Sequence, residues 1–275
     1  MPQDFDGDPT LANGSMLGLR KAAGTPEEGL RMSKGDVPLR GRLHKTRSVE
    51  FRRAGPPVCV ARAGAGAATG TEGDVNLCMV QGLTLEYAVI GTQTILGPSL
   101  TSAGLDISQD LTNNDGVQYS PSLLTRNPDY VYTIGTSPAF YVRAKIKITD
   151  VSGSDALFVG FVKAAAYAAA SDDYTDAALI GNVSGDIKLN TILNNADTTV
   201  TDTTNNWVDG ETHELTVRVD ADGVVTYLID NANPLATAAF TFDDGDEVVP
   251  LVYLRHDSDV AESTILVEFD SDFER

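Results

Sequence analysis

The sequence predicts an all-β sandwich of the jelly-roll type behind a long, mostly irregular N-terminal arm, and three observations predict it. Short runs with an apolar period of two follow one another from Phe140 to Phe269. Clusters of Asn, Asp, Gly and Thr separate those runs, as turns separate strands. Ahead of them, residues 1–62 hold eight glycines and six prolines and no sustained apolar period.

The arm, 1–62, is interrupted too often for a long helix or strand. One short helix is expected near Thr25, where TPEEGLRM supplies a cap, an early proline and two acids in the first turn. Residues 63–74, AGAGAATGTEGD, read as a Gly/Ala linker, and 75–275 as the sandwich body. LCMV and LTLEYAVI, within 77–120, read as edge strands leading into it. From Phe140, FYVRAKIKI places Phe140, Val142, Ala144, Ile146 and Ile148 on one face and Tyr141, Arg143, Lys145 and Lys147 on the other. ALFVGFV (156–162) is apolar on both faces and therefore central. KAAAYAAA (163–170) is the one helical candidate of the body. DIKLNTIL (186–193) alternates again, and so does HELTVRV (213–219), with Glu214, Thr216 and Arg218 opposite in parity to His213, Leu215, Val217 and Val219. Asp220-Ala221-Asp222-Gly223 is a tight reversal before VVTYLID. TAAFTF (237–242), VVPLVYL (248–254) and TILVEF (264–269) complete the set; in the last, Ile265, Val267 and Phe269 share one parity, and Leu266, Glu268 and Asp270 the other.

Charge divides the chain as sharply as pattern does. Between Met16 and Arg62 eleven Lys/Arg face four acids, a balance of +7, whereas 71–275 sets nine bases against thirty-two acids, −23. So acidic a body is a poor partner for DNA, whose phosphates must be met by Lys and Arg. A basic arm on an acidic body is the layout of a chain that docks on another surface. Arg31, Arg40, Arg42, Lys45, Arg47, Arg52 and Arg53 are the arm residues expected to make that contact. Arg143, Lys145 and Lys147 line one strand face as candidates for a subunit contact or for neutralising carboxylates across the sheet. Two cysteines, Cys59 and Cys78, are too few for a disulfide framework and read as free or buried thiols of a reducing compartment. No run approaches about eighteen apolar residues, so no membrane helix is expected. The acidic MPQDFDGDPT lacks the features of a secretory signal.

The segment NNWVDGETHELTVRVDADGVVTYLID (205–230) resembles the signature hairpin of concanavalin A-like jelly rolls. Trp207, His213, Asp220, Gly223, Tyr227 and Asp230 carry the match. The stretch from Phe140 to Phe269, with VRAKIKITDVSGSDALFVGF, SGDIK, TILNN and DGETHEL, is also similar to a group of tailed-bacteriophage virion proteins. That resemblance implies a structural virion protein that decorates or cements the capsid, its arm docking on the major capsid protein and its acidic body projecting from the capsid exterior. It also implies a homo-oligomer, with a trimer favoured. The alternative is a glycan-binding module of a tail fibre or receptor-binding protein, since this fold class binds sugars at its loop-bearing edges.

No catalytic residue, metal or cofactor is expected. Glucanases of this fold class place two Glu and an Asp at alternate positions of one strand. Here Glu268, Asp270, Asp272 and Glu274 depart from that spacing and read as a frayed, solvated acidic tail. His44 reads as a polar contact of the arm, His213 as a satisfied imidazole at the core's edge, and His256 as a loop residue beside Asp257 and Asp259. Asp172, Asp173 and Asp176 read as a solvated loop, because the twelve-residue loop of an EF-hand is missing. There is no phosphate-binding loop, dinucleotide fingerprint or nucleophile elbow.

Overall fold

The computed structural model describes residues 49–50, 58–60, 70–71, 75–80, 83–93, 98–108, 113–123, 127–164, 168–256 and 263–274. All of them fall in one unit, 47–275. In chain order the first strands are β1 (Val49–Glu50), β2 (Val58–Val60), β3 (Gly70–Thr71), β4 (Val75–Val80), β5 (Leu83–Ile90), β6 (Thr92–Gln93), β7 (Ser99–Leu100) and β8 (Leu105–Asp106). They are followed by β9 (Gly116–Ser120), β10 (Tyr132–Thr133), β11 (Phe140–Ile148), β12 (Ser154–Lys163), β13 (Ala177–Val183) and β14 (Asp186–Ile192). The last are β15 (Thr199–Asn206), β16 (Thr212–Val219), β17 (Val225–Ile229), β18 (Glu247–His256) and β19 (Thr264–Phe273).

Two antiparallel sheets form a sandwich. The seven-stranded sheet runs β17-β16-β11-β19-β8-β7, with β1 joined to β19. The ten-stranded sheet runs β15-β14-β13-β12-β18-β9-β5-β4-β2, with β10 joined to β18. From β8 onward the chain changes sheet between β8 and β9, β10 and β11, β11 and β12, β15 and β16, β17 and β18, and β18 and β19. These crossings make the sandwich a jelly roll, as the sequence pattern predicts.

The strict alternation of β11 sends Phe140, Val142, Ala144, Ile146 and Ile148 inward, every one fully buried. They meet Leu157, Val159 and Phe161 of β12 and Ala178 and Ile180 of β13 across the sandwich. At one end of this core, Tyr132 stacks on Phe140 at 4.4 Å and takes the edges of Phe161 and Phe273. Its hydroxyl is hydrogen-bonded to Ser271 Oγ at 2.9 Å, so the polar end of the ring is satisfied inside.

The ten-stranded sheet is apolar on its outer face too. Phe158, Val162, Leu179, Val249, Leu251 and Tyr253 form a second buried cluster there. Ala164, Ala168 and Tyr174 belong to the same cluster, so the described residues between β12 and β13 lie as a strap over it. Tyr174 Oη donates to Gln118 Oε1 at 2.5 Å, and Gln118 Nε2 donates to the Ala168 carbonyl, which fastens the strap to β9.

Several turns follow their sequence. Asp220 Oδ1 accepts from the backbone of Asp222 and Val224, and Gly223 sits at φ +86°. Ser184 and Gly185 both take positive φ between β13 and β14, the geometry of a two-residue type I′ hairpin.

Other expectations are corrected. Lys163 ends β12, and Ala169 and Ala170 form a bend rather than a helix; 165–167 lie outside the described residues. TAAFTF contributes a single bridge, Val224–Thr241, not a strand. LTLEYAVI is no edge strand: β5 lies between β4 and β9. β1 and β2 come from within the segment assigned to the arm and pair with β19 and β4, so the sandwich recruits chain ahead of residue 63. The β2–β4 register sets Cys59 opposite Cys78. In β19 the parity breaks. The register with β11 shifts at Lys145/Ile146, leaving Val267 as an extra residue, so that Leu266 and Phe269 both face the core.

Candidate functional site

The β19 bulge decides what the outer face of the seven-stranded sheet carries. Beyond it, Phe269 and Ser271 point inward, while Glu268, Asp270 and Asp272 turn outward with Tyr141, Arg143 and Lys145 of β11. Asp270 lies opposite Arg143 on one side, and Thr216 of β16 lies opposite Arg143 on the other. The three side chains form a row across the middle of the sheet.

Arg143 holds the row together. Its Nη2 donates to Glu268 Oε1 at 3.0 Å and to Asp270 Oδ2 at 3.1 Å, while Nη1 lies 3.9 Å from Glu214 Oε2. Tyr141 Oη donates to the same Asp270 Oδ2 at 2.8 Å. Burial pushes the Asp270 carboxyl above the usual carboxylate range, against the opposing pull of Tyr141 and Arg143. Burial first, and then the bond to Asp270, push the Tyr141 phenol up.

The bonding of this row is incomplete within the chain. Asp270 Oδ1, Thr216 Oγ1 and Arg143 Nε are buried, and among the described residues none has a hydrogen-bond partner. Thr216 is 2 % exposed and Asp270 5 %, so the open valences belong to side chains held in place. Around them Lys145, Arg218 and Thr226 are exposed. One acceptor, one donor and one hydroxyl in a row can take a ligand that both donates and accepts.

Of the residues singled out from sequence, Arg143 lies at the centre of this row, with Lys145 exposed and Lys147 half-buried on the same strand face. Arg143 neutralises carboxylates of its own chain, the second of the two roles set out for it. Arg31, Arg40, Arg42, Lys45, Arg47, Arg52 and Arg53 lie outside the described residues. The acidic segment is not a frayed tail: β19 stays paired to Phe273, and Glu274 N donates to the Ala139 carbonyl at 2.7 Å. Trp207 is buried in the core between the sheets, so it forms no wall beside Glu268 and Asp270.

His213 is satisfied at the core's edge, as expected. Its ring meets Trp207 edge-on at 4.8 Å, with Nδ1 at 2.7 Å from Asp230 Oδ2 and Nε2 at 3.3 Å from Glu211 Oε2. His256 is the buried last residue of β18 rather than a loop residue. Asp176 is buried too, contrary to a solvated loop: its Oδ1 accepts from Asn194 N, and its Oδ2 lies 3.4 Å from Lys163 Nζ. Lys163 also reaches Asp246 at 2.5 Å, and that bond raises its pKa. Among the described residues no three His, Cys, Asp or Glu side chains gather as a metal site.

Tyr141 and Thr216 are the residues that sequence reasoning passed over. The signal was present in the outward parity of β11 and β16. What it lacked was the register that sets Thr216, Arg143 and Asp270 side by side.

No protein-family model matches the chain, and no curated protein matches it. Among solved structures it is similar to the luminal domain of VIP36 in a Ca²⁺/Man₃GlcNAc-bound form, at 10 % identity and TM-score 0.49, covering 76 % of this chain and 90 % of that one. It is similar to the carbohydrate recognition domain of Emp47p at 12 % identity and TM-score 0.48, covering 77 % and 97 %. An alginate lyase of Pseudomonas aeruginosa matches at 10 % identity and TM-score 0.42, covering 64 % and 86 %.

Proposed function

We propose that this chain is a non-catalytic, glycan-binding jelly-roll module that holds its ligand on the outer face of the seven-stranded sheet. The observation that carries the reading is the Thr216–Arg143–Asp270 row, with three buried polar atoms left open by the chain's own bonding. Sugar hydroxyls donate and accept at once, which suits a carboxylate oxygen, a guanidinium N–H and a hydroxyl set side by side. A metal ion would be repelled by the guanidinium in the middle of the row.

Binding without catalysis follows from the same guanidinium. A glycosidase needs one protonated carboxyl and one free carboxylate. Here Glu268 and Asp270 both accept from Arg143 Nη2, at 3.0 and 3.1 Å, so the guanidinium occupies both carboxyls and neither is free to act. The resemblance to tailed-phage virion proteins supports placing the module on a particle's exterior, as in a tail fibre or receptor-binding protein. A cementing role would rest on the basic arm, whose named residues lie outside the described structure.

Calorimetric titration of a glycan selected on an array tests this. Arg143→Met should weaken binding at least tenfold, and no reducing ends should be released from the bound glycan. Equal affinity of Arg143→Met and the wild type would contradict the reading.

A further inference from the structure

A second polar concavity lies on the opposite side of the molecule, beside the strap over the ten-stranded sheet. A groove of about 250 Å³ runs between Ser171 and Asp172 of the strap, Asn190 of β14, Thr198 and Val200 at the start of β15, and Arg255 of β18. It adjoins a pocket of about 420 Å³ with Thr92, Asn114 and Asp115 in its wall, and the two share Ala170 and Arg255. Arg255 Nη2 donates to Asn114 Oδ1 at 3.1 Å, which holds the guanidinium at the junction.

Asn190 is the feature that bonding within the fold does not explain. It is 9 % exposed, it lines the groove, and its Oδ1 is buried with no hydrogen-bond partner among the described residues. A buried amide oxygen left open is destabilising relative to a satisfied one. Leu179 and Val200 lie directly across the ladder from it, so an apolar side chain would suit the position better if packing alone decided it.

We infer that this groove is a second ligand site and that its ligand is an uncharged, polyhydroxylated molecule, a neutral saccharide of two or more units. Charge selects the class. One guanidinium at the junction disfavours a cation. Asp172 and Asp115 beside it, on a body that carries −23, disfavour an anion. What remains is a neutral ligand whose hydroxyls donate to Asn190 Oδ1 and Asp172 and accept from Arg255. The shared wall lets it extend from the smaller groove into the larger pocket. The site is independent of the Thr216–Arg143–Asp270 row, with no residue in common.

The test is amide-resolved NMR titration of the full chain with maltotriose, cellotriose and mannotriose, with trigalacturonate as the anionic comparison. At least one neutral trisaccharide should shift Ser171, Asn190 and Thr198 saturably, and trigalacturonate should not. Asn190→Leu should weaken that binding tenfold or more and raise Tm, because it replaces an open buried amide with an apolar side chain. Asn190→Asp, which keeps the shape and alters the charge, serves as a second variant. Absence of groove shifts with all three neutral sugars overturns the inference, as does an Asn190→Leu chain with lowered Tm and unchanged affinity. Shifts confined to Arg143 and Thr216 would overturn it while leaving the glycan-binding face in place.

Discussion

The two sheets of this sandwich present opposite outer faces. On the ten-stranded sheet the outer face is Phe158, Val162, Leu179, Val249 and Leu251, closed by a strap that Tyr174 and Gln118 fasten. On the seven-stranded sheet the same position is filled by Tyr141, Arg143, Thr216, Glu268 and Asp270, held by charge-assisted bonds and left partly open. One face contributes to stability as a third apolar layer would. The other spends buried polar groups that packing does not need, the usual mark of a surface kept for a ligand.

Four substitutions would break or sharpen this contrast. The largest effect should come from Phe158→Ala, whose side chain is 1 % exposed beneath the strap. It should cost about 3–5 kcal/mol in urea unfolding, as a core phenylalanine does. A loss near zero would mean that the outer face of the ten-stranded sheet is not a true core layer. Arg143→Met leaves Asp270 buried without its cation and should cost about 1–2 kcal/mol, less than for a fully buried pair because the guanidinium is 30 % exposed. Tyr174→Phe removes one strap hydrogen bond and should cost about 1 kcal/mol, with faster amide exchange at Ala168 as the local readout.

Asp270→Asn gives a smaller effect with a definite sign. The folded carboxyl holds its proton at higher pH than the unfolded one. Between the two values the native state binds more protons, so this group's contribution to stability rises as pH falls through the folded value and levels off below the unfolded one. Acidification should therefore favour the wild type over Asp270→Asn in paired urea titrations. The opposite trend would contradict the burial of Asp270.

Much of the architecture was legible in the sequence. β11 and β16 follow their period-two pattern residue for residue, the Asp220–Gly223 reversal forms as its composition demands, and the doubly apolar 156–162 becomes the central β12. Strands β13 and β15 were not. AALIGNV lacks alternation because it is buried on both faces, and TVTDTTNN is a polar edge strand that reads as loop. The TILVEF parity failed for a different reason. A bulge is specified by the partner strand's register, which no local pattern contains. That same bulge turns Glu268 and Asp270 together to the outer face, so the site was less legible than the fold. KAAAYAAA misled because alanine favours helices in isolation, whereas Ala164 and Ala168 are recruited by the apolar face beneath them.

The most direct test of the glycan-binding face is Thr216→Val. The change keeps the shape of a side chain that is 2 % exposed and deletes only the hydroxyl that lacks a partner. On a glycan array followed by calorimetry, the wild type should retain at least one glycan, and Thr216→Val should bind it at least tenfold more weakly with an unchanged or higher Tm. A wild type that retains no glycan, or a Thr216→Val chain that binds as tightly as the wild type, would contradict the account.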